Sequence, residues 1–301
     1  MTCELCPHRC RADRENGRLG FCQAGTRPRV FRWGPHFGEE PPICGEAGSG
    51  AVFFSRCTMK CLYCQNSPWS WRGEGRDLAV AELTDILRDL AVKHRCGNWN
   101  LVSPTPYLPA IRAAAAPLLA EGVRLPFVYN SSGFERPETL AAYRDLCDIA
   151  LVDLRYASDA TARAASAAPG YVAASRAAVK HLWETLGPLD SDEPGAATRG
   201  VIVRLLVLPG HADEAVENLA WLATELSNEV QVSVMAQYTP AYLGLKTPPF
   251  DRPVTREEYE SVTEAAADFG FENGWIQGYG AADPKLALLG ENMSPDHGSV
   301  K

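Results

Sequence analysis

The sequence predicts an α/β fold built on a parallel sheet, and three observations carry the prediction. From Ala51 onward, short apolar segments alternate with segments of helical periodicity, giving six strand-like runs. The runs are continuously apolar, as in AVFFS (51–55) and VIVRLLVL (201–208), which is the pattern of strands covered on both faces. The 301 residues are 46% hydrophobic, enough for one large core, and α/β barrels reach about 250 residues as a single domain. Repeated strand–helix units leave two arrangements, an open doubly wound sheet or a barrel.

The elements follow in order. Residues 1–46 are short on periodic apolar segments and rich in Cys, Arg, Gly and Pro, and GEEPPICGEAGSG (38–50) reads as an irregular connector. AVFFS is the first buried strand, and VAELTDILRDLAVKH (80–94) has helical periodicity. NLVS (100–103) is a strand, PAIRAAAAPLLAEG (109–122) a helix with Pro117 as a kink point, and FVYNSS (127–132) a strand. PETLAAYRDL (137–146) is helical, IALVDLRY (149–156) a strand, and YVAASRAAVKHLWETL (171–186) a helix. LDSDEPGAATRG (189–200) reads as a polar surface loop. VIVRLLVLPG (201–210) and VQVSVMAQY (230–238) are strands flanking the helix DEAVENLAWLATEL (213–226), and TREEYESVTEAAADFG (255–270) is the last clear helix. No internal repeat is visible.

Composition narrows the partners. The net charge of −8 disfavours non-specific binding to nucleic acid or to an acidic membrane surface. The charge is uneven: residues 1–33 hold seven arginines against three acidic residues, about +4, so the rest sums to about −12. A basic N-terminal module on an acidic body meets an anionic partner or docks on its own body, and docking is the favoured reading. No apolar run approaches the roughly 18 residues of a membrane span, and MTCELCPHRCRADR has no apolar signal-peptide core. A cytoplasmic location is therefore expected. Neither G-x-G-x-x-G nor a P-loop, a G-x-S-x-G elbow or an H-E-x-x-H helix occurs, which disfavours nicotinamide, nucleotide-hydrolysing and ordinary hydrolytic chemistry.

Ten cysteines carry more information. In a reducing cytosol, clustered cysteines are more often metal ligands or catalysts than disulfides. Seven fall in two groups, Cys3, Cys6, Cys10, Cys22 and Cys57, Cys61, Cys64; Cys44, Cys96 and Cys147 stand alone. The second group lies in SRCTMKCLYCQN (55–66), directly after the first strand, where a parallel barrel keeps its chemistry. Spacings of four and three also repeat on one helix face, but Met59, Leu62 and Tyr63 would then make that short helix apolar all round. A 4Fe–4S cubane fits better: three thiolates hold three irons and leave the fourth open to a small molecule. The N-terminal group has the form CxxCxxxCx11C, a donor set suited to zinc or an Fe–S cluster, and a module of about 45 residues would gain its fold from such a metal.

CTMKCLYC has the form CxxxCxxC with an aromatic before the last cysteine and resembles the radical S-adenosylmethionine (SAM) enzymes. Together with GEEPPICGEAGSGAVFFSRCTMKCLYCQN, NLVSPTPY, YNSSGF, DLRY, VRLLVLPGH and MAQYTP, in that order, the chain resembles the pyruvate formate-lyase activating enzyme-like branch from Cys3 to about Tyr279. The resemblance implies a partial (β/α)6 TIM-like barrel over residues 47–285, with a small Cys-rich metal-binding module and connector at 1–46 and a tail at 286–301. It also implies reductive cleavage of SAM at a 4Fe–4S cluster to a 5′-deoxyadenosyl radical that abstracts a hydrogen from substrate. An electron donor such as flavodoxin or ferredoxin and a protein substrate, a glycyl-radical enzyme, are the implied partners.

Residue assignments follow from the same resemblance. The superfamily's second strand often ends in Gly-Gly-Glu, which holds the SAM amino group; here the segment is NLVSPTPY, so Ser103 and Thr105 stand as oxygen acceptors or as part of a Pro-rich turn. Asn130 and Ser132 of YNSSGF end the third strand at a ligand edge or a hydrogen-bonded turn. Asp153 and Arg155, on one side of their strand, resemble an Asp-x-Lys element that meets the SAM ribose and carboxylate; an internal ion pair is the alternative. Arg204, inside an apolar strand, needs an anion, either the SAM carboxylate or a barrel carboxylate. His211 is placed at the adenosine edge, and Leu62 and Tyr63 shield the cluster and border the adenine. Two further readings stay open: radical SAM modification of another peptide, a nucleotide or a small metabolite, and a non-catalytic metal-binding docking protein.

Overall fold

The computed structural model describes residues 2–280. Its strands and helices are β1 (Arg29–His36), α1 (Pro41–Cys44), β2 (Ser49–Phe54), α2 (Ser67–Ser70), β3 (Arg76–Asp77), α3 (Val80–Arg88), β4 (Trp99–Val102), α4 (Leu108–Ala120), β5 (Phe127–Ser131), α5 (Pro137–Ala142), β6 (Ile149–Asp153), α6 (Asp159–Ser166), α7 (Tyr171–Leu186), β7 (Gly200–Leu206), α8 (Ala212–Glu225), β8 (Gln231–Met235), α9 (Arg256–Asp268) and β9 (Gly274–Ile276). The expected C-terminal tail at 286–301 lies outside the described residues.

One sheet orders these strands β3-β1-β2-β4-β5-β6-β7-β8-β9. β2, β4, β5, β6, β7, β8 and β9 are mutually parallel, while β1 runs antiparallel to β2. The strands curl around an interior, and the outer edges β3 and β9 do not pair, so the barrel is partial. All six expected strands are present, and β9 is a seventh in the parallel run. It is only three residues long, too short to stand out as a periodic signal.

Alternation of side chains divides the sheet into two faces. Val52, Phe54, Leu101, Phe127, Tyr129, Val152, Val203 and Val234 belong to the large core cluster that also takes in buried residues of the helices. The inner face holds Val128, Ile149, Leu151 and Ile202, and these pack around Ile43 of α1. α9 begins as its sequence dictates: Thr255 and Glu258 form a reciprocal capping box. α4 runs on through Pro117.

Residues 1–46 are more closely tied to the barrel than a separate module would be. Their second half supplies β1, paired with β2 from Val30↔Phe54 to His36↔Ser49 with a register shift between Val30 and Arg32. The connector after it then enters the barrel floor. Asn98 donates to the carbonyl of Ile43 at 2.7 Å, and the amides of Gly195 and Ala197 donate to the carbonyls of Pro41 and Pro42. The loop at 189–200, expected at the surface, therefore packs against the connector and buries Ala197. Gly45 (φ +55°) and Gly195 (φ +70°) make this crossing possible, since a Cβ on Gly45 would lie 2.8 Å from Gly195 Cα.

Candidate functional site

A cavity of about 330 Å³ occupies the barrel interior. Cys57, Cys61 and Cys64 form its upper wall on the loop leaving β2. The loop is pinned by backbone bonds from Lys60 and Leu62 to the carbonyls of Ser166 and Ala165, and by the Trp71 indole N–H to the carbonyl of Cys61. Arg56, immediately before Cys57, takes φ 72°, a left-handed value uncommon for a side chain of its size. Helical spacing is thus not used as a helix: Cys57, Cys61 and Cys64 sit in an irregular turn.

Each of the three sulfurs already has a polar neighbour. The Met59 amide donates to Cys57 Sγ at 3.4 Å, Arg155 Nη1 donates to Cys61 Sγ at 3.4 Å, and Ser70 Oγ lies 3.1 Å from Cys64 Sγ. Burial, then the neighbouring Cys61, pushes the Cys57 thiol up, and the same two causes push Cys64 to about 12. Thiols of this kind, one buried and two half-buried, are stabilised as thiolates by a cation placed among them. Among the described residues, no group of three His, Cys, Asp or Glu side chains could hold a metal ion. A cubane distributes its thiolates over separate irons, so a set of spaced, hydrogen-bonded thiols suits it better than it suits tetrahedral zinc.

Below the cysteines, charges descend through the cavity. Arg155 pairs with Asp153 through Nε at 3.1 Å and Nη2 at 2.5 Å. Arg204 lies beside Asp153 in the sheet register. Its guanidinium is bound by Glu40, with Nε at 2.8 Å and Nη2 at 2.5 Å, and by Glu39. Glu39 also accepts from Asn100 at 2.8 Å and from Asn130 at 3.2 Å. His36 lines the same floor, and burial holds its imidazole below the usual range. Trp69, Phe53 and Trp275 form aromatic walls, with Ser233, Gln237 and Gln277 on the β8–β9 side.

The structure sorts the sequence-derived candidates. Tyr63, Ser103, Asn130, Ser132, Asp153, Arg155 and Arg204 line the cavity with the three cysteines. Arg204 is engaged by Glu39 and Glu40 rather than left open to a ligand carboxylate, and Asp153 and Arg155 form their internal pair. Tyr63 stacks on Phe250 at 5.1 Å and its hydroxyl bonds Tyr156, so most of its ring is core. Ser103 has φ 59°, again left-handed, at the cavity edge. Gly133, in the YNSSGF segment, meets protein rather than open space: a Cβ there would strike the carbonyl oxygen of Asp153.

Two candidates sit away from the cavity. His211 stacks on Phe250 at 5.5 Å and its Nδ1 pairs with Glu214 at 3.2 Å, because the turn after β7 carries it to the start of α8. Thr105 is buried, and its hydroxyl donates to Glu135 at 2.6 Å. Glu135 was not singled out from the sequence. It is 1% exposed, its Oε2 has no partner, and it shares a small void with Cys57, Thr58, Ser103, Ser131 and Ser132. Burial pushes its carboxyl up to about 7 against hydrogen bonds from Thr105, Tyr129 and Ser131. Glu39 and Glu40 were likewise read only as connector; a polar pair between prolines and glycines carries no local sign that it will be buried.

The N-terminal segment that carries Cys3, Cys6, Cys10 and Cys22 lies against the cysteine loop. The Cys3 amide donates to the Ala12 carbonyl and the Arg11 amide to the Cys3 carbonyl, folding the segment back on itself. Cys6 and Cys22 are buried, Cys3 is half-buried and Cys10 exposed. Burial raises the Cys3 thiol, with Cys10 and Cys22 adding to it, and burial followed by Glu135, Cys22 and Cys3 pushes Cys6 up to about 12. His8 bonds the Thr58 carbonyl at 3.0 Å and stacks on Phe21, so the segment docks on the chain's own body as the charge pattern favoured. Cys44, Cys96 and Cys147 are separate buried thiols. No described helix is long and apolar enough to cross a membrane.

Comparison with known proteins places this arrangement. The chain is 28% identical over 279 residues to an uncharacterized protein of Methanocaldococcus jannaschii, covering 90% of this chain and 76% of that protein. Among solved structures it is similar to Streptococcus suis SuiB bound to S-adenosylmethionine, with TM-score 0.47 and 14% identity over 74% of this chain and 48% of that one. A second SuiB structure, bound to the precursor peptide SuiA, gives TM-score 0.48 and 14% identity over 74% and 46%. The chain thus spans about half the length of SuiB. Residues 51–223, from β2 into α8, match the Radical SAM superfamily. That span contains the cysteine loop and the cavity strands through β7, and the chain belongs to this superfamily.

Proposed function

We propose that Cys57, Cys61 and Cys64 hold three irons of a 4Fe–4S cluster at the head of the barrel cavity and leave the fourth to SAM. The chain is a radical SAM enzyme by family, and one observation supports this placement: three spaced thiols, each with a polar neighbour, line the same cavity. When bound, cluster and SAM supply a 5′-deoxyadenosyl radical, after one-electron reduction by a flavodoxin- or ferredoxin-type donor, to take a hydrogen atom from substrate. The protein's part is to orient and to exclude water. Arg155 steadies Cys61 Sγ, and Ser70 does the same for Cys64. Ser103, Ser132 and the unpartnered Oε2 of Glu135, which line one small pocket with Cys57, are the acceptors assigned here to the SAM ammonium. The carboxylate that the second strand lacks would then arrive from the segment after the third.

The finer reading is activation of a glycyl-radical enzyme, with hydrogen taken from a backbone glycine of a partner protein. It rests on the order of the motifs and on apolar side chains near the cavity: Ile276 on its wall is 58% exposed, and Leu243 and Leu245, in the segment whose Gly244 bonds the Leu62 carbonyl, are 50% and 60% exposed. Such side chains suit a protein surface better than a free metabolite. The proposal extends to Cys3, Cys6, Cys10 and Cys22 as donors to a second metal, zinc or an Fe–S cluster, whose binding would have to draw together thiols that form no metal-ready group in the described residues.

Anaerobic reconstitution tests the core reading. Iron and sulfide at the level of a cubane and formation of 5′-deoxyadenosine with dithionite are expected, and absence of either refutes it. Metal analysis of a Cys57→Ala/Cys61→Ala/Cys64→Ala variant reads the N-terminal metal alone. A glycyl-radical EPR signal on a candidate partner decides the activase reading.

A further inference from the structure

Cys61 and Cys64 have side chains beside their sulfurs, Arg155 and Ser70, whereas Cys57 Sγ is met by a backbone group, the Met59 amide at 3.4 Å. An amide brings no charge, so its strength as a donor depends on what the rest of its peptide group meets. That peptide group consists of the Thr58 carbonyl and the Met59 N–H, and its oxygen is bonded by His8 Nε2 at 3.0 Å. A carbonyl oxygen can only accept, so the imidazole donates through Nε2. Two hydrogen bonds therefore run in series, His8 Nε2–H to Thr58 O and Met59 N–H to Cys57 Sγ, joined by one conjugated amide. Bonds in series polarise one another: density drawn towards the oxygen leaves the N–H a stronger donor.

The surroundings hold this arrangement in place. Thr58 and Met59 are both buried, and no backbone amide donates to the Thr58 carbonyl among the described residues, so His8 meets little competition. The imidazole stacks on Phe21 at 3.7 Å and meets Phe134 edge-on at 5.1 Å. Its segment is held further by Arg14, whose Nη1 donates to the Pro106 carbonyl at 2.6 Å. His8 thus reaches the cysteine loop across 50 positions of sequence, with its ring fixed between two others.

Resting on the radical SAM reading above, we propose that His8 is a positioning residue for electron entry. Acting through the Thr58–Met59 peptide, it strengthens the amide bond to Cys57 Sγ and raises the reduction potential of the cluster held there. When one electron arrives from the flavodoxin- or ferredoxin-type donor, no bond is made or broken and no proton moves. The added negative charge is favoured by a stronger N–H donor at a ligand sulfur, since hydrogen bonds to the sulfurs are among the levers that set Fe–S potentials. The N-terminal segment then contributes to the site through a single side chain.

The test is EPR-monitored redox poising of the anaerobically reconstituted full chain, comparing wild type with His8→Phe and His8→Gln. The signal that changes on addition of SAM marks the cluster at Cys57, Cys61 and Cys64. Phenylalanine keeps the packing between Phe21 and Phe134 and removes the donor; glutamine restores an N–H and removes the ring. At a potential that leaves the wild-type cluster half reduced, His8→Phe is expected to lower the ratio of reduced to oxidised cluster by roughly threefold, about half a decade on the one-electron scale. His8→Gln is expected to restore the wild-type ratio. A ring that only docks its segment gives the reverse order, and that order, or equal ratios in all three proteins, overturns the proposal.

Labelling with ¹⁵N-methionine supplies a second measurement, because Met59 is the methionine of the cysteine loop. Its amide nitrogen is expected to show a hyperfine coupling to the reduced cluster that weakens in His8→Phe and recovers in His8→Gln. No coupling in wild type, or one that the substitution leaves unchanged, also overturns the proposal. Iron and sulfide are measured on the same samples. Their absence from the wild type refutes the cluster reading, whereas a cubane indifferent to His8 refutes only the role of His8.

Discussion

The guanidinium of Arg155 reaches Sγ of Cys61 at 3.4 Å while it pairs with Asp153 on the adjoining strand end. One side chain thus joins the cysteine loop to β6 across 94 positions of sequence. Hydrogen bonds to ligand sulfurs tune Fe–S centres and orient their ligands. Arg155→Met is expected to lower SAM cleavage by about 10- to 100-fold, the usual cost of removing a supporting partner. Single-turnover 5′-deoxyadenosine formation measures this, and a rate within twofold of wild type would refute a role for the contact.

Replacing Cys57 with Ala is expected to remove roughly four irons per chain, the content of one cubane, and to abolish 5′-deoxyadenosine. Cys3→Ala is expected to leave the SAM-bound cluster signal intact in EPR. The reverse pattern would exchange the roles assigned to the two cysteine groups.

Glu135 makes the stability of the metal-free chain depend on pH. Its carboxyl is raised to about 7 from 4.5 by burial, so between those values the folded state binds a proton that the unfolded state has released. The contribution is full below about pH 4.5 and is lost as pH rises through 7, at most roughly 3 kcal/mol. Melting temperature should therefore decline across this window, and Glu135→Gln should flatten that decline. An unchanged slope in the variant would assign the pH dependence to other groups.

Ile43 tests the floor plug. It is fully buried among Val128, Ile149, Leu151 and Ile202. Ile43→Ala should destabilise the chain by about 3 kcal/mol, the range for a large-to-small change in a packed core, read by urea unfolding. A cost under about 1 kcal/mol would mean that the site collapses without loss.

How much of this was legible beforehand follows the range of each interaction. Cys57, Cys61 and Cys64 are neighbours in the chain, and their spacing after a buried strand already marked a candidate site, which the structure places on the wall of the cavity. The six strands announced themselves because each buries a continuous apolar run, a local property. β9 has three residues and β1 alternates poorly, so neither stood out.

The sequence by itself determined the parallel α/β class, the cysteine loop at the end of its first parallel strand, and the polar ends of the following strands. Which charges meet was decided only by tertiary structure. Glu39 and Arg204 are 165 residues apart and join because β1 folds back on β2 and sends the connector into the barrel floor. His211 turned toward α8, and Glu135 turned inward behind Gly133, for the same kind of reason: the direction of a loop side chain depends on the elements packed around it. Periodicity reports which residues leave water; only the packed chain decides which partners those residues find there.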